Sequence, residues 1–242
     1  MIQLAVSPCS NPDLTLEDAL AAYRALGFRR IELFTSWAKS AVDADGDGER
    51  YKDLLAKYGF SVSSLHLPPL TEHLDVSLAR AVKTCRLAAD LECPVVLVKG
   101  KTRADIIAGA GRLLDAIGEL ALTPVLQNHA GTAISTLGDY REVLDGVRDP
   151  RLKCLLEVGH FHKVGVLWRD GYALLAGRIA LVYEKALGRP PSDAESARMI
   201  AFVEQVAKTL ESQDIPTDQA RQKAWRSLCR VVMGSNEFIY IE

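Results

Sequence analysis

The chain has 242 residues, room for one large core or two modest ones, because domains hold roughly 100 to 200 residues. A formal charge of −2, with Lys and Arg spread along the chain, excludes the basic footprint of a nucleic-acid surface, and no apolar run reaches the ~18 residues of a membrane span. Five widely spaced cysteines without a CxxC, and an N-terminus "MIQLAVSPCS" with no basic region ahead of a long apolar one, lead to the expectation of a cytoplasmic protein with reduced thiols.

In chain order, short β-rich apolar runs alternate with longer segments of helical period, the pattern of parallel strands joined by crossover helices. "IQLAVS" reads as the first strand. "TLEDALAAYRALGF" follows as a helix with Thr15 as N-cap, Asp18 in place of the usual capping-box Glu, and Gly27 as the stop. "RRIELF" returns to strand, "GERYKDLLAKYGF" to a helix ended by Gly59, and "SVSSLHL" to strand before Pro68 and Pro69. "VSLARAVKTCRLAADL" is helical, and "PVVLVKG" is the near-continuous apolar strand of a sheet covered on both faces. "RADIIAGAGRLLDAIGELAL" is helical again. "PVLQNHAG", a helix over "TLGDYREVLDGV", and "KCLLEVGHFH" complete six strands, and another helix-like segment begins near "RDGYALLAG".

βα-barrel strands recur every ~25 to 35 residues, and the spacing here fits a (β/α) TIM-barrel-like α/β fold cut at about six βα units. An open doubly wound sheet is the alternative. Against it, no GxGxxG follows the first strand, and Glu32, His66, Lys99, Asn128 with His129, and Glu157 with His160 all fall at carboxyl ends of strands, where barrels place their sites. After "RIALVY" the alternation stops. A Pro-Pro break, Ser192 as a cap with Glu195 three residues on, and two helical patterns follow, so the expected division is a partial barrel over 1–182 and a helical segment over 183–242. The period of the closing "EFIYIE" fits a short strand or a last helical turn.

With "IELF" ending the second strand, "SLHLPP" the third, and "QNHAG" and "LEVGH" the fifth and sixth, residues 1–182 resemble the xylose isomerase-like TIM barrels. That superfamily holds sugar and sugar-phosphate isomerases and epimerases, and also endonuclease IV. The segment 183–242 is similar to the helical C-terminal module of bacterial cytochrome-associated proteins of unknown function. The resemblance implies a small-molecule sugar or sugar phosphate as substrate and a divalent cation (Mn, Mg, Co or Zn) that holds its oxygens. It makes Glu157 a metal ligand and catalytic carboxylate, His160 a ligand or a donor that orients one, and His66 a catalytic contact from the third strand. Glu32, Trp37, Lys99 and Asn128 become substrate contacts.

Gln127 departs from the pattern, because the family has a glutamate there and an amide offers one weak carbonyl ligand. The ligands of a seventh and eighth strand have no match in the chain. Each candidate also has a structural alternative. Glu157 could pair with Lys99 or Lys101, His160 and His162 flank Phe161 and by alternation share a face, and His129 could cap the following helix. "DADGDG" copies the opening of an EF-hand loop, but its twelfth position is Leu54, so it reads as a solvated acidic loop. "GRPPSD" puts prolines where a phosphate cradle needs glycines, and Trp168 and Trp225 read as packing residues. Two functions therefore stand side by side: a metal-assisted sugar isomerase or epimerase, and a non-catalytic barrel fragment that binds or oligomerises. In the second, the tail or another copy of the chain covers the open edges.

Overall fold

In the computed structural model the described residues are 5–175, together with positions 201, 204, 207, 208, 211, 215–221 and 224. They fall into two compact units, one of them within Ala5–Val182. In the other, the described positions are helical apart from Ile215 and Pro216, with Ala207, Ala220 and Ala224 buried. The Pro-Pro break, the Ser192 cap and "EFIYIE" lie outside the described residues.

The first unit alternates strand and helix as the sequence pattern requires. The strands are β1 (Ala5–Val6), β2 (Arg30–Phe34), β3 (Ser61–His66), β4 (Val95–Val98), β5 (Thr123–Gln127) and β6 (Lys153–Leu155). Between and after them run α1 (Leu16–Ala25), α2 (Gly48–Tyr58), α3 (Leu74–Asp90), α4 (Arg103–Ala116), α5 (Leu137–Val147), α6 (Val158–Lys163) and α7 (Trp168–Leu175). All strands are parallel and lie in sequential order from β1 to β6, so every crossover leads to the neighbouring strand, which is the winding of a TIM barrel. Among the described residues β1 and β6 each have one strand neighbour, so the cylinder is partial.

Local chemistry starts and stops these helices where the sequence indicates. Thr15 accepts the Asp18 N–H, Thr102 and Thr136 form reciprocal capping boxes with Asp105 and Asp139, and Asp47 caps α2. Gly59 closes α2 at φ 64°, in the left-handed region open to glycine.

Period-two alternation, interrupted on β3 by a register shift against β2 between Val62 and Ser64, sorts the strand residues into two cores. Ile31, Leu33, Val62, Leu65, Val96, Val98, Leu126 and Cys154 belong to the large cluster shared with the helices. Val95, Leu97, Val125 and Leu155 form a separate small cluster on the opposite face. That face is the barrel interior, and each of those four buried side chains contributes about 1.5–3 kcal/mol. Cys85 and Cys93 are buried packing residues, and burial pushes their thiols up to about 12 and about 11.

One expected element is corrected. "KCLLEVGHFH" is not a single strand: β6 ends at Leu155, and "VGHFHK" is a short helix with Glu157 at its N-cap. His160 and His162 consequently do not share a face; His160 is half-buried and His162 exposed.

Candidate functional site

The interior alternation continues past the carboxyl ends of the strands. Lys99 follows Leu97 by two residues, Gln127 follows Val125 and Glu157 follows Leu155, while His66 lies opposite Leu97 in register and Glu32 opposite Ser64. Polar groups therefore crown the small inner cluster from successive strands, the position where barrels carry chemistry.

The tightest part lies on β1 to β4. Glu32, with its side chain 16% exposed, is the acceptor of a small network. Ser7 Oγ donates to its Oε1 at 2.7 Å, Ser64 Oγ to its Oε2 at 3.4 Å, and His66 Nε2 lies 3.3 Å from the same Oε2. His66 sits deeper, its side chain 7% exposed, with the Phe34 ring stacked on the imidazole at 4.1 Å. Trp37 meets Phe34 edge-on at 5.0 Å and leaves more than half its surface to solvent. Its φ of 58° is a left-handed conformation that costs a bulky residue about 1–3 kcal/mol, a strain that gathers at ligand sites. Thr35 Oγ1 donates to the His66 carbonyl at 3.0 Å and fastens the end of β2 to β3.

Lys99 reaches the same cluster from β4. Its Nζ lies 5.8 Å from the centre of the Phe34 ring, and burial lowers its pKa against the opposing pull of the Glu32 and Cys9 charges. Pairing between Glu157 and Lys99 or Lys101 is not found: Lys101 binds Glu72 at 3.2 Å, and among the described residues no carboxylate lies within ion-pair distance of Lys99.

The second part, on β5 and β6, centres on Asn128. This side chain has no exposed surface, and both ends of its amide are spent on the backbone of Glu157. Nδ2 donates to the Glu157 carbonyl at 2.8 Å, and the Glu157 N–H donates to Oδ1 at 2.7 Å. Tyr140, also fully buried, donates its hydroxyl to the Leu155 carbonyl at 2.8 Å, with the Leu126 carbonyl at 3.3 Å and Asn128 Oδ1 at 3.4 Å alongside. Asn128 therefore fixes the backbone of Glu157. Among the described residues no hydrogen bond or ion pair holds the carboxylate of Glu157 itself, and the half-buried Gln127 lies opposite Leu155 in register.

Of the expected metal ligands, Glu157 and His160 stand on β6's continuation and α6, and Gln127 ends β5. Among the described residues no three His, Cys, Asp or Glu side chains converge as a metal requires, and Gln127 adds only a neutral amide. His160 turns instead to His129, ring on ring at 3.7 Å, and burial together with the His129 and Lys163 charges lowers its pKa. His129 Nδ1 lies 3.0 Å from the Ala130 carbonyl. The acidic loop reads as expected: Asp47 caps α2, Asp43 accepts the Asp45 N–H, and Asp45 pairs with Lys83. A separate surface groove of about 440 Å³ runs past Lys101, Thr102, Arg103, Thr132 and Glu142. Its cations are spent, because Arg103 pairs with Asp139 at 2.8 Å and with Glu142 at 2.7 Å.

Sequence reading singled out Glu32, His66, Trp37 and Lys99, which meet around Phe34. It missed Ser7, Phe34, Ser64 and Tyr140. The first three were accessible to a period-two reading of the strands, since each precedes or pairs with a polar strand end; Tyr140, on a helix, carries no such signal.

The family model described as xylose isomerase-like TIM barrel matches residues 20–213. No curated protein matches the chain. Among solved structures, a xylose isomerase domain-containing protein from Salmonella typhimurium LT2 is similar at 14% identity and TM-score 0.57, covering 96% of this chain and 97% of that one. A D-tagatose 3-epimerase-like protein is similar at 13% identity and TM-score 0.58, over 72% of this chain and 71% of that one. A xylose isomerase-like TIM barrel/4-hydroxyphenylpyruvate dioxygenase fusion protein is similar at 19% identity and TM-score 0.53, over 68% of this chain. The chain spans only 28% of the length of that fusion protein.

Proposed function

The chain belongs to the xylose isomerase-like TIM barrel family, and from that premise we propose that its mouth binds a small sugar or sugar phosphate and moves a proton next to the carbonyl. The observation that carries this reading is the Glu32–His66 pair, 3.3 Å apart and largely withdrawn from water at adjacent strand ends. Isomerisation and epimerisation both require a base that takes a carbon-bound proton and an acid that returns it. Glu32 is the more exposed partner and faces the ligand. His66 stands behind it, clamped by Phe34, as the group with which the carboxylate exchanges the proton. Returning the proton to the neighbouring carbon, while the adjacent hydroxyl's proton passes to the former carbonyl oxygen, isomerises the sugar, and returning a proton to the opposite face of the same carbon epimerises it. Trp37 and Phe34 offer an apolar wall for the C–H face of a sugar, and Asn128 holds the backbone of Glu157 at the end of β6.

The cation of the wider family has no complete ligand set among the described residues, and the proposal assigns the proton transfer to Glu32 and His66. We assign residues 1–182 to the barrel and 183–242 to a distinct helical segment. A non-catalytic, self-associating barrel is favoured by a different observation, the single neighbours of β1 and β6 among the described residues.

Thermal unfolding against a panel of ketoses and aldoses separates the two. A sugar present at ~100 times its Kd adds about 2.7 kcal/mol to the wild-type stability. That gain is expected to vanish in Glu32→Gln and His66→Gln. An unchanged gain in both variants, or no gain from any sugar with a two-chain mass in light scattering, rejects the enzyme reading.

A further inference from the structure

We propose that Lys99 is a carbonyl-reactive amine, placed to condense with a small aldehyde or ketone that enters the barrel mouth. Four of the chain's other lysines show the ordinary arrangement: Lys52, Lys57, Lys83 and Lys101 each hold a carboxylate in an ion pair on the surface. Lys99 does not. It stands at the end of β4, on the inward face, mostly buried, with an aromatic ring rather than an anion under its Nζ. An ammonium in that position gives up hydration and has a ring rather than a hydrogen-bonded carboxylate in return, and burial lowers its pKa. The groups that face it are the Phe34 ring and, through their charge, Glu32 and Cys9. Both charges oppose the effect of burial without cancelling it.

The unprotonated fraction of this amine, beside a carboxylate–imidazole pair, has the parts for imine formation. The nitrogen lone pair attacks the carbonyl carbon as the π pair moves to oxygen. That oxygen takes one proton from the nitrogen and gives a carbinolamine. A second proton, relayed by Glu32 and His66, lets the oxygen leave as water, and the nitrogen lone pair closes the C=N bond as the nitrogen returns its remaining proton to the relay. Water is the only product released and nothing is oxidised or reduced. The inference rests on the placement of Lys99 and goes beyond the isomerase reading: amine reactivity does not require that any sugar be turned over.

The native protein is treated with glyceraldehyde and cyanoborohydride near neutral pH, and the adducts are mapped by peptide mass analysis. The external hydride fixes each imine as a secondary amine, so every lysine reports its own rate. Lys99 is expected to label faster than the ion-paired Lys52 and Lys57, whose partners raise their pKa, by about tenfold for each pKa unit of difference. The preference is expected to disappear in urea, and Lys99→Arg is expected to lose that adduct alone while its circular dichroism stays native. Labelling of Lys99 no faster than that of Lys52 or Lys57 in the native protein overturns the proposal, whether or not sugar binding depends on Glu32.

Discussion

Asn128 illustrates what a motif at residue scale does and does not say. Beside His129, in a run that resembles a family motif, it reads as a substrate contact, yet its amide satisfies the N–H and C=O of Glu157 just where β6 has stopped supplying ladder bonds. The side chain acts as one more rung of the sheet and holds a polar residue at the mouth. Removing it costs two hydrogen bonds and leaves polar groups without partners. Asn128→Ala is therefore expected to lower stability by about 2–4 kcal/mol, read from the urea midpoint, with Asn128→Asp intermediate because it keeps the acceptor for the Glu157 N–H. A loss in Asn128→Ala below about 0.5 kcal/mol, the scatter of neutral surface changes, contradicts this role. No spacing rule reveals such a bond, since its partner lies 29 positions away and is backbone.

Elements divide by length into those the sequence makes legible and those it does not. α1, α2, α4 and α5 carry threonine, aspartate or glycine at their ends and enough turns to display a 3.6-residue period. β6 and α6 do not. Three strand residues followed by six helical ones present no full period of either kind, so "KCLLEVGHFH" read as a single strand. Packing between helices is equally hidden until the backbone is placed. A Cβ on Gly109 of α4 would come within 2.7 Å of Leu74 Cδ1 and 2.9 Å of Leu70 Cδ1. Alanine is the better helix former by about 1 kcal/mol, but the overpacking costs about 1–3 kcal/mol. Gly109→Ala is expected to unfold at lower temperature than wild type; a higher midpoint would mean that Leu70 and Leu74 yield without cost.

At the scale of the whole molecule, the repeated βα spacing is enough to specify the parallel winding, because each strand must be followed by a helix that covers its outer face. What the spacing leaves open is which polar strand ends meet. The alternation of inner and outer residues decides that, and it gathers Glu32, His66 and Lys99 around Phe34 while Gln127 and Glu157 stand on the next two strands. Among the described residues no three His, Cys, Asp or Glu side chains converge, whereas Glu32 and His66 stand 3.3 Å apart, and we propose that this pair transfers the proton. Deuterium exchange tests that claim most directly. In D₂O, with fructose, xylulose or dihydroxyacetone and with chelator present, wild-type protein is expected to wash label into the carbon beside the carbonyl, and Glu32→Gln and His66→Gln to reduce the rate by about 100-fold or more. Exchange that survives in both variants, or that stops when chelator is added to the wild type, would contradict it.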